Sequence, residues 1–286
     1  MRKILLGLSL VLSIPVLAPA APPPQTIPAV AALPRLQQTG FARHAGANIW
    51  FGSVGRGRPV ILLHGGLSSS RGWGGQVPAL VKAGYRVILI DSRGHGRSTL
   101  GNQPLSYELM AQDVVAVMDK LHLERAAIVG WSDGAIIGLI LAMHNANRVD
   151  RLYAFGANMD QRGVRPGAAD APILKVLLPR LAAEHAALSG NPKGFAQLHQ
   201  ALQPMQASEP NYKAAQLAAI RDVPITIAEG DHDEFITEAH AHYLARVIPG
   251  ARLQIFPNGG HFVPWQRPQA FNQAVLAFLQ RKAGAR

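Results

Sequence analysis

The sequence predicts an α/β domain built on a mostly parallel sheet, with helices on both faces and a small helical lid. Three observations predict it. Short apolar, β-branched runs alternate with helix-period segments over two long stretches of the chain. Between those stretches, from 156 to 221, the alternation stops and short helical segments punctuated by Pro and Gly replace it. The chemically capable residues then fall just after strand-like runs, where a parallel sheet gathers its reactive loops.

The chain opens with Arg2 and Lys3, continues as an apolar run from Ile4 to Leu17, and reaches Ala18-Pro19-Ala20. That is the layout of a secretory signal peptide over 1–20, with cleavage after Ala20 and export to the periplasm or the exterior. A retained membrane anchor is the rival reading. Pro15, Pro19 and Pro22-Pro23-Pro24 interrupt or close the run, which is short for a span of roughly 20 residues. No later stretch is apolar for long enough to cross a bilayer, so no integral span is expected after cleavage. Residues 21–40 form a Pro/Ala-rich linker, and the folded domain is expected over 41–286.

The 286 residues include no cysteine, which excludes disulfides, thiolate nucleophiles and Cys-ligated metals. The formal net charge is +11, but the arginines are scattered singly, with no basic run or basic helix face. That pattern suits a solvated surface and gives no nucleic-acid partner.

Phe41 to Val54 reads as two strands around a turn at Gly46-Ala47-Asn48, and 55–59 as a second, Gly/Arg-rich turn. Val60 to Leu63 is a buried strand ending in His64-Gly65-Gly66, followed by a helix over Val77 to Ala83. Arg86 to Ile90 is the next strand, and Tyr107 to Leu121 a helix with Leu109, Val114, Val117, Met118 and Leu121 on one face. Ala126 to Val129 is a strand, Ala135 to Asn145 a helix and Val149 to Phe155 a strand. In the insertion, 172–188, 195–202 and 212–220 read as helices. The alternation resumes with a strand at Ile225 to Ala228, a helix at Glu238 to Val247, a strand at Arg252 to Phe256 and a closing helix at Phe271 to Gln280. An insertion placed at the reactive edge of the sheet forms a lid over the pocket.

Gly130-Trp131-Ser132-Asp133-Gly134 lies between a strand and a helix. A serine on so tight a turn adopts strained backbone angles, and glycines two before and two after it remove the collisions that side chains would cause. Its hydroxyl is a poor nucleophile until a neutral imidazole accepts its proton and a carboxylate orients that imidazole. The chain supplies the three groups in the order Ser132, an acid after the Ile225 strand, and His261 in the turn 257–261. Backbone N–H groups after the serine and after the Val60 strand are placed to hold an oxyanion, here Asp133 and Gly66, with Leu67 as the alternative. Asp231, His232, Asp233, His240 and His242 are close in sequence, but no zinc-type spacing is present and no metal is expected.

From about Phe41 to Leu279 the chain resembles the α/β-hydrolase superfamily, in its branch of small serine esterases, lactonases and carbon–carbon hydrolases. His64-Gly65-Gly66 resembles the family's oxyanion loop, 91–98 its D-x-R-G-x-G-x-S loop, 130–134 its nucleophile elbow and Gly260-His261-Phe262 its histidine loop. The Gly-Trp-Ser-Asp-Gly elbow looks similar to that of biphenyl-hydrolase-like and valacyclovirase-like members. The resemblance implies an α/β-hydrolase fold and a cofactor-free serine hydrolase with Ser132, Asp233 and His261 as its triad. It implies Asp233 because the family's acid follows the strand-ending glycine by three positions; Asp231 and Glu234 are the alternatives.

The expected substrate is a small carboxylic ester, thioester, lactone or activated amide, with Leu67, Trp131 and Asp133 as candidate substrate contacts. The Asp133 carboxylate either recognises a cationic substrate group or caps its own helix and complements the dipole. Two other readings stand beside this one: a carbon–carbon hydrolase or cofactor-free peroxidase on the same triad, and a catalytically silent binding protein.

Overall fold

The computed structural model describes residues 26–281. The leader expected over 1–20 lies outside them. Residues 26–37 form neither helix nor strand, as a Pro/Ala-rich stretch should, yet they are docked. Ile27, Val30, Leu33 and Leu36 pack against the core, and Arg180 Nη1 donates to the Pro28 carbonyl at 2.7 Å.

The chain continues through β1 (Gln38–His44), β2 (Ala47–Val54), β3 (Arg58–Leu63), α1 (Val77–Lys82), β4 (Tyr85–Ile90), α2 (Tyr107–Lys120), β5 (Ala126–Trp131), α3 (Asp133–His144) and β6 (Val149–Phe155). The insertion holds α4 (Leu174–Ser189), α5 (Gly194–Ser208) and the short α6 (Ala214–Leu217). Then come β7 (Ile225–Gly230), α7 (Glu238–Val247), β8 (Arg252–Phe256), α8 (Val263–Gln266) and α9 (Pro268–Leu279).

The eight strands form one sheet in the order β1-β2-β4-β3-β5-β6-β7-β8. The β1/β2 and β2/β4 pairs are antiparallel, and every other pair is parallel. Parallel strands buried on both faces account for the unbroken apolar runs in the sequence. Alternation sorts each run between two cores. Ile61 and Leu63 of β3 face the cluster covered by α2, α3 and α7, while Val60 and Leu62 face the one covered by α1 and α9.

The elements differ from expectation at several ends. The first hairpin turns at Ala45-Gly46 (φ 42° and 76°), a two-residue turn with both φ positive, so β1 begins at Gln38, inside the expected linker. The expected helix over 212–220 shrinks to α6, and α5 runs on to Ser208 through Pro204. The single-turn α8, between His261 and the last helix, was not anticipated.

Candidate active site

Ser132 sits between β5 and α3 at φ 56°, ψ −123°. A non-glycine residue held there carries roughly 1–3 kcal/mol of strain and persists only when its surroundings fix it. Three main-chain bonds do so: Ser132 N–H donates to the Phe155 carbonyl (2.8 Å), and the Ser132 carbonyl accepts from Ala135 N–H (2.7 Å) and Ile136 N–H (3.1 Å). Both flanking glycines are required by space. A Cβ on Gly130 would lie 2.3 Å from the Gly134 carbonyl oxygen, and one on Gly134 would lie 2.1 Å from that of Leu63.

His261 enters from the turn after β8. Its Nδ1 lies 2.5 Å from Asp233 Oδ2. An ionised carboxylate only accepts, so Nδ1 carries the proton and Nε2 is left as the basic nitrogen. Among the described residues, neither His261 Nε2 nor Ser132 Oγ is hydrogen-bonded to a protein group. The His261 ring packs near Trp131, beside the serine, and near Phe155, which receives the serine's N–H. Gly156, at φ 67°, leaves the ring room: a Cβ there would stand 2.8 Å from His261 Cε1.

The acids of the 229–234 turn have separate partners. Asp233 Oδ1 accepts from the N–H groups of Phe235 and Ile236, each at 2.7 Å, while Oδ2 faces His261. Asp231 accepts from Gly259 N–H (3.1 Å), and Glu234 from His261 N–H (2.7 Å). Of the sequence's three candidates, Asp233 is therefore the carboxylate against the imidazole ring. Burial works against the imidazolium, but the Asp233 charge outweighs it and holds the His261 pKa above 6.5. Burial likewise opposes the Asp233 carboxylate, and the attraction of His261 outweighs that, holding its pKa below the ordinary value.

The loop after β3 packs onto the serine: a Cβ on Gly65 would be 3.1 Å from Ser132 Cβ. Gly66 N–H and Asp133 N–H have no acceptor among the described residues. Leu67 N–H does, donating to His95 Nε2 at 3.0 Å. Leu67 itself is held at φ 61°, so the main chain here is bent and braced. The alternative oxyanion donor named from sequence is thus spent on a histidine, and Gly66 is the open one.

Two buried histidines supply the bracing. His95 donates through Nδ1 to the Arg93 carbonyl (2.8 Å), and its other nitrogen accepts from Leu67. His64 donates through Nδ1 to the Gly65 carbonyl (2.8 Å) and accepts from Ser92 N–H (3.0 Å). Burial, reinforced by the neighbouring His64, pushes the His95 pKa down to about 3. The loop over 91–98 is rigid in turn. Asp91 accepts from Ser70 N–H and from Arg97, and Arg93 forms a buried fork on Asp113 through Nε (2.8 Å) and Nη2 (2.5 Å). Sequence reading named the motif of this loop but gave its histidine no role.

The Asp133 side chain turns away from α3's own backbone. Oδ1 accepts from Tyr107 Oη (2.9 Å) and Oδ2 from Gln206 Nε2 (3.2 Å). Gln206 belongs to α5, so the insertion reaches the elbow itself. Glu209, just beyond α5, accepts from Tyr107 N–H at 2.9 Å and closes the connection. Burial, partly offset by these two donors, raises the Asp133 pKa. Trp131 is only 2% exposed and packs edge-on against Trp265 and Phe262. It underlies His261 instead of standing open to a ligand. His240 Nε2 accepts from Met159 N–H while His242 faces Glu238 at the surface, so the histidines near Asp231 do not converge. Among the described residues no group of three or more His, Cys, Asp or Glu side chains is placed to hold a metal ion.

A strained serine between a parallel strand and a helix, a braced glycine loop and a histidine backed by a buried aspartate match one known architecture. The family model for the alpha/beta hydrolase family matches residues 60–274. The chain belongs to that family. A non-heme haloperoxidase of Rhodococcus erythropolis is 29% identical over 268 residues, covering 82% of this chain and 97% of that protein. A 2-hydroxy-6-oxononadienedioate/2-hydroxy-6-oxononatrienedioate hydrolase of Comamonas testosteroni is 27% identical, covering 81% and 91%. Among solved structures, an N-acyl homoserine lactone degrading enzyme superposes with a TM-score of 0.70 at 28% identity, covering 83% of this chain and 99% of that one. The relatives are enzymes of the alpha/beta hydrolase fold, and this family member superposes on that fold over most of its length.

Proposed function

We propose that the protein is a serine hydrolase cleaving a small carboxylic ester, thioester, lactone or activated amide through an acyl-enzyme. The observation that carries this reading is the Ser132 hydroxyl on its strained turn, beside Trp131, whose ring packs near an imidazole held at Nδ1 by buried Asp233. Ser132 Oγ and His261 Nε2 are both without a hydrogen-bond partner among the described residues. His261 Nε2 takes the hydroxyl proton as Ser132 Oγ attacks the carbonyl carbon. Asp233 stabilises the imidazolium that forms. The N–H groups of Gly66 and Asp133 receive the developing oxyanion, a contribution of roughly 3 kcal/mol for each donor lost. His261 then protonates the leaving group and activates the water that releases the acid. No step calls for a cofactor.

The test is Ser132→Ala. Loss of ester hydrolysis and of fluorophosphonate labelling, with an unchanged fold by circular dichroism, supports the reading; wild-type hydrolysis by the variant would end it. A folded wild-type protein that resists the label would favour a silent binding protein. A second reading, a carbon–carbon hydrolase or peroxidase using the same residues, is favoured by the names of the Comamonas and Rhodococcus relatives. Direct assay on a vinylogous 1,5-diketone and on halide oxidation separates it from esterase activity.

Recognition of a substrate ammonium by Asp133 also belongs to the proposal. Among the described residues no cationic side chain is ion-paired with this carboxylate, and its two bonded partners, Tyr107 and Gln206, are neutral. Equal losses by Asp133→Asn on amino-acid esters and on neutral esters would remove that role. Export after cleavage at Ala20 is tested by N-terminal sequencing of the mature protein.

A further inference from the structure

Glu229 is the last residue but one of β7, four positions before Asp233, and its side chain is completely buried (0% exposed). Strand alternation sets it on the side of Ile225 and Ile227, under the face that α7 covers. One carboxyl oxygen, Oε1, accepts from Gly230 N–H at 2.9 Å. The other, Oε2, is buried and receives no hydrogen bond from any N–H or O–H donor among the described residues. The carboxyl group that interacts most closely with this side chain is that of Asp233, four residues on and likewise buried.

Two neighbouring buried carboxylates would repel each other, and among the described residues no ion pair to Glu229 is present to offset that. Arg165, whose field reaches Glu229, directs its Nε to the Asp233 main-chain carbonyl at 2.9 Å. The charge belongs on Asp233, which His261 faces and two backbone N–H groups already bind. An ionised carboxylate has about four acceptor positions. Phe235, Ile236 and His261 take three on Asp233, which leaves one open.

We propose that Glu229 is a positioning residue for the triad acid: a neutral carboxylic acid whose O–H donates to the Asp233 carboxylate. The inference rests on the reading of Asp233 as the triad acid. Burial and the adjacent Asp233 charge both push the Glu229 pKa well above its ordinary value, in keeping with this assignment. The donated bond fixes Asp233 in the orientation that His261 needs. It also tempers the carboxylate's pull on the imidazolium, so that His261 returns to its neutral, basic form at a lower pH than Asp233 alone would allow. Arg165, Glu234 and Asp133 are the other charged groups whose fields reach this acid or its histidine.

The experiment pairs Glu229→Gln with Glu229→Leu in the full-length protein. Infrared difference spectra of wild type against Glu229→Gln at neutral pH should show the carbonyl stretch of a protonated carboxyl group; its absence overturns the proposal whatever the catalytic outcome. In the pH profile of kcat/KM, Glu229→Gln retains a donor toward Asp233, so its acid limb should coincide with that of wild type. Glu229→Leu removes the donor, and its acid limb should move up by about one pH unit, the effect of losing one charge-assisted bond. A downward shift for Glu229→Gln would mean that an ionised Glu229 had been neutralised, and an unmoved Glu229→Leu would mean a purely structural role. Either result rejects the inference. Asp233→Asn serves as the separate control. If that variant keeps wild-type kcat/KM, the triad reading fails while the infrared result on Glu229 still stands.

Discussion

Replacing His95 by Phe tests how the oxyanion loop is held. Phenylalanine fits the ring's space against His64, whose ring centroid is 5.1 Å away, but it offers no acceptor to Leu67 N–H. An orphaned donor costs about 1–3 kcal/mol, toward the lower end at this part-buried site, and the braced residue is itself at φ 61°, a conformation the loop can relax once released. The freed loop carries Gly66. If half or more of that energy is felt in the transition state, kcat should fall roughly 2- to 150-fold with KM little changed. Complete loss of one oxyanion donor, roughly 3 kcal/mol, sets the ceiling. The assay is steady-state hydrolysis of a chromogenic acyl ester, with melting temperature as the check on folding. A decrease below about twofold, or one confined to KM, would refute the idea that His95 shapes the hole. His95 is held neutral at any pH well above 3, so its own titration should leave no mark on the neutral-pH profile.

The remaining predictions use other parts of the same site. His261 acts as a base only when neutral, and its pKa is raised, so kcat/KM should fall as the pH drops through a midpoint above 6.5. In Asp233→Asn burial prevails, and the midpoint of any residual activity should lie lower; a pH series on both enzymes checks this. Gly134→Ala drives a Cβ to 2.1 Å from the Leu63 carbonyl oxygen and should give no soluble folded protein, as judged by expression and circular dichroism. Tyr107→Phe removes one of the two donors to Asp133 and should cost about 1–3 kcal/mol in a denaturant titration. The Asp133 pKa is already raised in the fold, so the native state binds the extra proton and stability falls as pH rises through that value. Loss of the Tyr107 donor raises it further, so the variant's deficit should be larger near neutrality than in mild acid. A deficit independent of pH would point to lost packing alone.

Much of the fold was legible because its signals are local. Runs such as Val60–Leu63, Val87–Ile90 and Leu152–Phe155 are apolar or aromatic, as a strand buried on both faces requires, and each recurs within a strand of the sheet. The elbow was legible for a similar reason. Gly130 and Gly134 are demanded by contacts within a few residues and by one strand beside them. The ends of elements were harder. The hairpin at Ala45-Gly46 depends on the pairing of Gln38 with Ser53, and the length of α6 depends on how the insertion packs.

The sequence by itself determined which residue types stand after which strands: Ser132, His261, three acids in one turn, and a glycine loop after Leu63. It did not determine which acid meets the imidazole, because Asp231, Asp233 and Glu234 differ only in where one turn points them. Tertiary structure decided that through the 2.5 Å contact of Asp233 with His261. It also decided that Leu67 N–H is consumed by His95 and that Asp133 is held by Tyr107 and by Gln206 of the insertion. The partners in those contacts come from separate elements or turn to meet across a loop. Hydrogen bonds need ångström accuracy between atoms that chain order alone leaves free, so composition and spacing could name the chemistry but not assemble it.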